Sequence, residues 1–80
     1  MARVLIIDDD ELVRRLLEEH LSNEGYEIIS ASMAEDGYAL AEESPPDLIL
    51  LDVNLPDATG FQMCGRFRQN PMTESIPICC

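Results

Sequence analysis

The sequence predicts an α/β fold, a parallel sheet covered by helices, and three observations predict it. Apolar runs alternate with amphipathic stretches in the order β-α-β-α-β-α-β. The first and third runs, residues 3–7 and 47–51, are apolar almost without interruption, which suits strands buried on both faces. Each of these two runs stops at aspartate, Asp8 in one case and Asp52 in the other.

Taken in order, Arg3-Val4-Leu5-Ile6-Ile7 is the first strand. Asp10 is placed to cap the helix that follows, with Glu11 favourable in its first turn. Val13, Leu16, Leu17, His20 and Leu21 recur at helical spacing and predict the buried stripe, with His20 as a packed or half-exposed member rather than a ligand. Asn23-Glu24-Gly25 stops that helix. Residues 26–31 read as the second strand. Ser32 with Glu35 predicts a capping box for the next helix, which Gly37 weakens and Ser44-Pro45-Pro46 ends. Residues 47–51 form the third strand, and Leu55 to Gly60 a loop in which Asp57 and Gly60 serve the turn. Phe61, Cys64 and Phe67 predict a short helix with both phenylalanines in the core, broken at Asn70-Pro71. Residues 76–80 begin a fourth strand.

Eighty residues allow one domain, and 46% apolar content argues for a folded chain. The formal charge is −11, from 16 acids against five arginines and no lysine. Such a balance repels a phosphate backbone and excludes direct nucleic-acid binding by this segment. No apolar run reaches the ~18 residues a membrane span needs, and the N-terminus lacks the pattern of a signal peptide, so a cytoplasmic location is expected. Cys64, Cys79 and Cys80 make neither a disulfide framework nor a metal-ligand spacing; buried free thiols are expected.

The chemistry gathers at the strand ends. In open parallel sheets ligands bind beyond the C-terminal ends of the strands, where the strand order reverses. If the strand order is 2-1-3-4, the first and third strands are neighbours, and Asp8, Asp9 and Asp52 meet at one edge. Converging carboxylates repel one another unless a cation offsets them, and hard oxygen donors suit Mg²⁺. An aspartate is already ionised at neutral pH and needs no base to attack phosphorus. Asp10 is better explained as a helix cap.

The runs Val4-Leu5-Ile6-Ile7-Asp8-Asp9-Asp10 and Asp47-Leu48-Ile49-Leu50-Leu51-Asp52, followed by Leu55-Pro56 and Gly60, resemble the receiver domains of bacterial response regulators over the whole chain. The resemblance implies a flavodoxin-like, doubly wound parallel sheet. It implies that Asp52 takes a phosphoryl group from a phosphohistidine on a sensor histidine kinase or phosphotransfer protein. It implies that Asp8 or Asp9, with Asp52 and the backbone carbonyl of Asn54, holds Mg²⁺. The phosphorylated domain then controls an output domain or regulated protein outside this chain. The family also places a Ser or Thr at the end of the fourth strand and a Lys at the end of the fifth; Thr73 and Ser75 precede the fourth strand and do not stand at that place. We therefore expect residues 1–80 to be a receiver domain incomplete at its C-terminus, truncated after the fourth strand, with an uncovered sheet that favours self-association. Two other readings compete. One is a phosphohydrolase of the haloacid-dehalogenase type, with Asp8 as nucleophile; it lacks the usual residues after the acidic pair and the later lysine. The other is a receiver-like binding module that is never phosphorylated.

Overall fold

The computed structural model describes residues 1–80. Its elements are β1 (Arg3–Ile7), α1 (Glu11–Asn23), β2 (Glu27–Ala31), α2 (Ala34–Glu43), β3 (Leu48–Leu51), α3 (Gly60–Gln69) and β4 (Ile78–Cys79). All strand pairs are parallel, in the order β2-β1-β3-β4, as the sequence predicts. No helix is long and apolar enough to cross a membrane.

β1 lies between β2 and β3, and its unbroken apolar run reflects that position: Val4, Leu5, Ile6 and Ile7 are all buried. Side chains alternate along a strand, so Leu5 and Ile7 face one way and Val4 and Ile6 the other. Leu5 and Ile7 join Ile49 and Leu51 of β3 against Ala34 and Ala41 of α2 and Met63 and Phe67 of α3. Gly37 belongs to this packing. A β-carbon there would stand 2.5 Å from the Ile7 Cδ1, so the residue that weakens the helix locally is what lets α2 approach β1.

Several expectations are corrected. α1 buries no residue; Leu16 is 58% exposed and His20 is exposed, so the stripe rests on the sheet without being sealed into it. Phe61 is 90% exposed, while Phe67 is fully buried. The packed face of α3 runs through Gly60, Met63 and Phe67, at the spacing of a helical stripe; Phe61, about 100° further round than Gly60, turns outward. Ser32 does not cap α2, whose N-cap residue is Met33, with no side-chain cap bond. β4 is only two residues long, pairing Ile78 with Ile49 and Cys79 with Leu50. The approach to it is tied to α3 by Thr73, a buried hydroxyl that donates to the Phe67 carbonyl at 2.8 Å. The thiols are free, but only Cys64 is half-buried; Cys79 and Cys80 are exposed.

Candidate functional site

Backbone bonds set the two key aspartates side by side. The Asp8 N–H donates to the Ala31 carbonyl at 3.1 Å, and the Asp52 N–H donates to the Ile7 carbonyl at 2.9 Å. Each bond carries its ladder one residue beyond the strand, and Ile7 is registered with Leu51. Asp8 and Asp52 therefore leave neighbouring strands at the same level, both half-buried.

The neighbouring acids divide the work. Asp10 caps α1, its carboxylate accepting the N–H groups of Leu12 at 2.9 Å and Val13 at 3.2 Å. This is the helix-capping role expected of it, and it removes Asp10 from the site. Asp8 uses one oxygen to accept the Asp10 N–H at 2.9 Å, which fixes the turn out of β1. Arg14, one turn into α1, donates to the Asp8 carbonyl at 2.7 Å and brings a positive charge to the edge of the cluster.

Asp8, Asp9 and Asp52 each present a carboxylate oxygen, and the three oxygens lie within 4.8 Å of one another. Opposite oxygens on Mg²⁺ stand about 4.2 Å apart, twice its ~2.1 Å bond length. The donor set is thus of the right chemistry and nearly the right span for that ion. Like charges held this close raise the energy of the site unless a cation joins them.

The segment after Asp52 has its own order. Asn54 and Thr59 form an antiparallel bridge, flanked by bonds from Leu55 N–H to the Ala58 carbonyl at 3.1 Å and from Gly60 N–H to the Val53 carbonyl at 2.7 Å. Asn54 thereby occupies the non-hydrogen-bonded position of the bridge, and its carbonyl accepts no backbone hydrogen bond. That oxygen, two residues past Asp52, is left for another ligand. Thr59 caps α3 in a capping box with Gln62, at 3.1 Å and 3.0 Å for the two reciprocal bonds. Gly60 is required by close approach, since a β-carbon would meet the Asp52 carbonyl oxygen at 2.9 Å.

Sequence reasoning missed the role of Asp57. Its place in Leu55 to Gly60 points only to the turn; in the structure its carboxylate spans to α2 and accepts the N–H groups of Ala34 at 2.8 Å and Glu35 at 3.0 Å. The Glu35 N–H, then the Ala34 N–H, hold its carboxyl below the usual aspartate range, with Arg66 adding a smaller pull. Arg66 of α3 also pairs with Glu35 and lies over the Tyr38 ring at 4.0 Å. The sequence carries no signal for it, because Ser32 reads as the cap of α2 until the structure sets Met33, with no side-chain cap bond, at the N-cap position.

A family profile described as the response regulator receiver domain matches residues 4–80. Among curated proteins, the chain is 42% identical over 78 residues to the transcriptional regulatory protein AfsQ1 of Streptomyces coelicolor, covering 98% of this chain and 33% of that protein. It thus spans about a third of that regulator's length. Among solved structures, the chemotaxis response regulator CheY4 of Vibrio cholerae superposes with a TM-score of 0.94 at 33% identity, over 98% of this chain and 65% of that one. A second, at TM-score 0.89 and 33% identity over 98% of this chain and 66% of the other, comes from a crystal structure of the histidine kinase ThkA in complex with the response regulator protein TrrA. The fold they share is the flavodoxin-like one.

Proposed function

This chain belongs to the response regulator receiver domain family, and from that premise we propose that Asp52 is its phosphoacceptor. The observation that carries the reading is the convergence of the Asp8, Asp9 and Asp52 carboxylates within 4.8 Å at the C-terminal edge of two adjacent strands. Receiver domains are signalling domains, not enzymes, which sets aside the hydrolase reading with Asp8 as nucleophile.

Asp52 attacks as a carboxylate. A bond forms between its side-chain oxygen and phosphorus, and the bond from phosphorus to the donor's leaving nitrogen breaks; that nitrogen takes up a proton. In-line transfer needs placement of the nucleophile and offset of charge rather than a base. Placement comes from the Asp52 N–H bond to Ile7 and from the close seat of Gly60 against the Asp52 carbonyl. Asp8, Asp9, Asp52 and the unpaired Asn54 carbonyl would hold Mg²⁺, which, when bound, offsets the charge of the carboxylates and the phosphoryl oxygens. Arg14 steadies the Asp8 backbone from α1.

The donor is a phosphohistidine on a sensor histidine kinase or phosphotransfer protein, a reading supported by the likeness to a structure that holds such a kinase with a response regulator. The recipient of the signal is an output domain or a regulated partner, in keeping with the regulator named among the relatives and with the share of its length that this chain spans.

The test is incubation with a small phosphodonor and Mg²⁺ followed by mass spectrometry. The expected result is one added phosphoryl group on Asp52, absent in Asp52→Asn and absent when the cation is chelated. Phosphoryl mass on Asp8 would revive the hydrolase reading. No added mass under any donor would favour a binding module that keeps the fold without the chemistry.

A further inference from the structure

Helix α2 starts without a cap of its own. Met33 occupies the N-cap position with extended backbone and no side-chain acceptor, and Ser32 does not replace it. The first N–H groups of a helix have no partner inside it. Those of Ala34 and Glu35 are met by separate oxygens of one carboxylate, Asp57 Oδ1 at 2.8 Å and Oδ2 at 3.0 Å. Their separations in sequence are 23 and 22 residues. A local Ser or Asn at position 33 would satisfy the helix as well. What the long-range bond adds is a tie between two parts of the chain.

The part tied down is the loop 53–59, which follows Asp52. Its internal bonds, around the Asn54–Thr59 bridge, shape it while it is seated, and exposed backbone bonds of this kind open readily once a segment loses its ties. They do not fix where that shape sits relative to β1, where Asp8 and Asp9 emerge. Leu55 and Ala58 pack against the core and hold the loop from beneath. Asp57 holds it from the side, against the start of a helix that is itself seated on β1 through Gly37 and Ile7.

We infer that Asp57 is a positioning residue: by clasping the start of α2 it fixes loop 53–59, and with it the Asn54 carbonyl, relative to Asp8 and Asp9. The consequence for metal binding rests on the reading of the acidic cluster given above; the consequence for the loop does not. The charge on Asp57 serves the same clasp, because bonds from N–H groups to a carboxylate are stronger than those to a neutral oxygen.

The experiment separates a helix cap from a loop tie. Asp57→Ala removes both. Asp57→Ala combined with Met33→Asn gives α2 a neutral cap of its own, at a position that is extended and 40% exposed, but leaves the loop untied. Thermal unfolding reads the helix. Amide exchange at Leu55 and Gly60, in metal-free protein, reads the loop, and Mg²⁺ titration reads the site. Asp57→Ala is expected to lower Tm, to speed exchange at these amides about five-fold, the size of a lost cap, and to weaken Mg²⁺ binding. The double variant is expected to recover Tm while exchange stays fast and Mg²⁺ binding stays weak. Recovery of all three would overturn the inference and leave Asp57 as a cap alone, and so would parental exchange rates in Asp57→Ala. If Asp57→Ala does not fold, Asp57→Asn, which keeps one acceptor oxygen, serves in its place, with smaller shifts of the same sign expected and unchanged exchange overturning the inference. A parent protein that binds no Mg²⁺ would count against the proposed function, and the exchange comparison would still decide the role of Asp57.

Discussion

On the face of the sheet that carries α2 and α3, Leu5, Ile7, Ile49 and Leu51 meet Ala34, Ala41, Met63 and Phe67 with almost no exposure. On the face that carries α1 no helical residue is buried, and Leu12 and Leu16 remain 65% and 58% exposed. Between α1 and β3 an open cleft of about 280 Å³ reaches from Leu17 and Leu50 to Asp8 and Asp52. The two faces thus contribute differently to the same site. α1 supplies the turn after β1, through the Asp10 cap and the Arg14 bond to Asp8. The sealed face supplies the seat for the loop after Asp52, through Gly60, Leu55 and Asp57. Stability and the placement of Asp52 should depend on one face, and much less on the other.

Substitutions can break that contrast, and Phe67→Ala has the largest expected effect. Phe67 is wholly buried and its ring lies 5.3 Å from that of Tyr38. Its loss should cost about 3–5 kcal/mol, read as a fall in the denaturant midpoint. Against a total of ~5–15 kcal/mol for a typical domain, that loss can unfold the chain. A cost near zero would mean that the α2/α3 face is not the stabilising one.

Gly60→Ala comes next. The added methyl meets backbone, the Asp52 carbonyl at 2.9 Å and the Val53 Cα at 3.1 Å, which cannot rotate away. About 1–3 kcal/mol is expected, together with slower phosphorylation of Asp52, since the methyl pushes on the residue that bears the nucleophile. Normal phosphorylation with reduced stability would detach the loop seat from the site. Leu16→Ala, on the open face, should change stability by no more than ~0.5 kcal/mol. A loss as large as that of Phe67→Ala would erase the contrast between the faces.

Much of this architecture was legible in the sequence, for reasons that differ by element. β1 is surrounded, so every residue from Val4 to Ile7 must be apolar, and the run is visible without any structure. The acids at its end and at the end of β3 are placed by strand geometry, which periodicity reveals. The Asp10 cap followed from local rules too, whereas the strand order, which no local signal sets, came with the family resemblance. What escaped was non-local. Phe61 and Phe67 are chemically alike, and only the contact of Gly60 with the Asp52 backbone shows which way α3 is turned. The α1 stripe has helical spacing whether or not anything covers it. Asp57 looks like any turn aspartate until the fold brings Ala34 within reach of it.

The smallest expected effect sharpens the comparison by pH. The Glu35 and Ala34 N–H groups hold the Asp57 carboxyl below its ordinary range in the folded chain. The stability this provides is therefore fully present above the unfolded value near ~3.9 and is lost as pH falls through the lower, folded value. The difference in Tm between the parent and Asp57→Asn should be constant from neutral pH down to that window and shrink within it. A difference that shrinks nearer neutrality would point to another group.

Beneath these comparisons lies one claim, that the sheet edge holds Asp8, Asp9 and Asp52 as a preformed pocket for Mg²⁺. Titration of Mg²⁺ into ¹⁵N-labelled protein, followed amide by amide, tests it most directly. The account predicts saturable shifts concentrated at residues 8–10 and 52–54, lost in Asp52→Asn, with the glutamates of α1 and α2 unmoved. Shifts scattered over those surface glutamates, or no saturation, would contradict it.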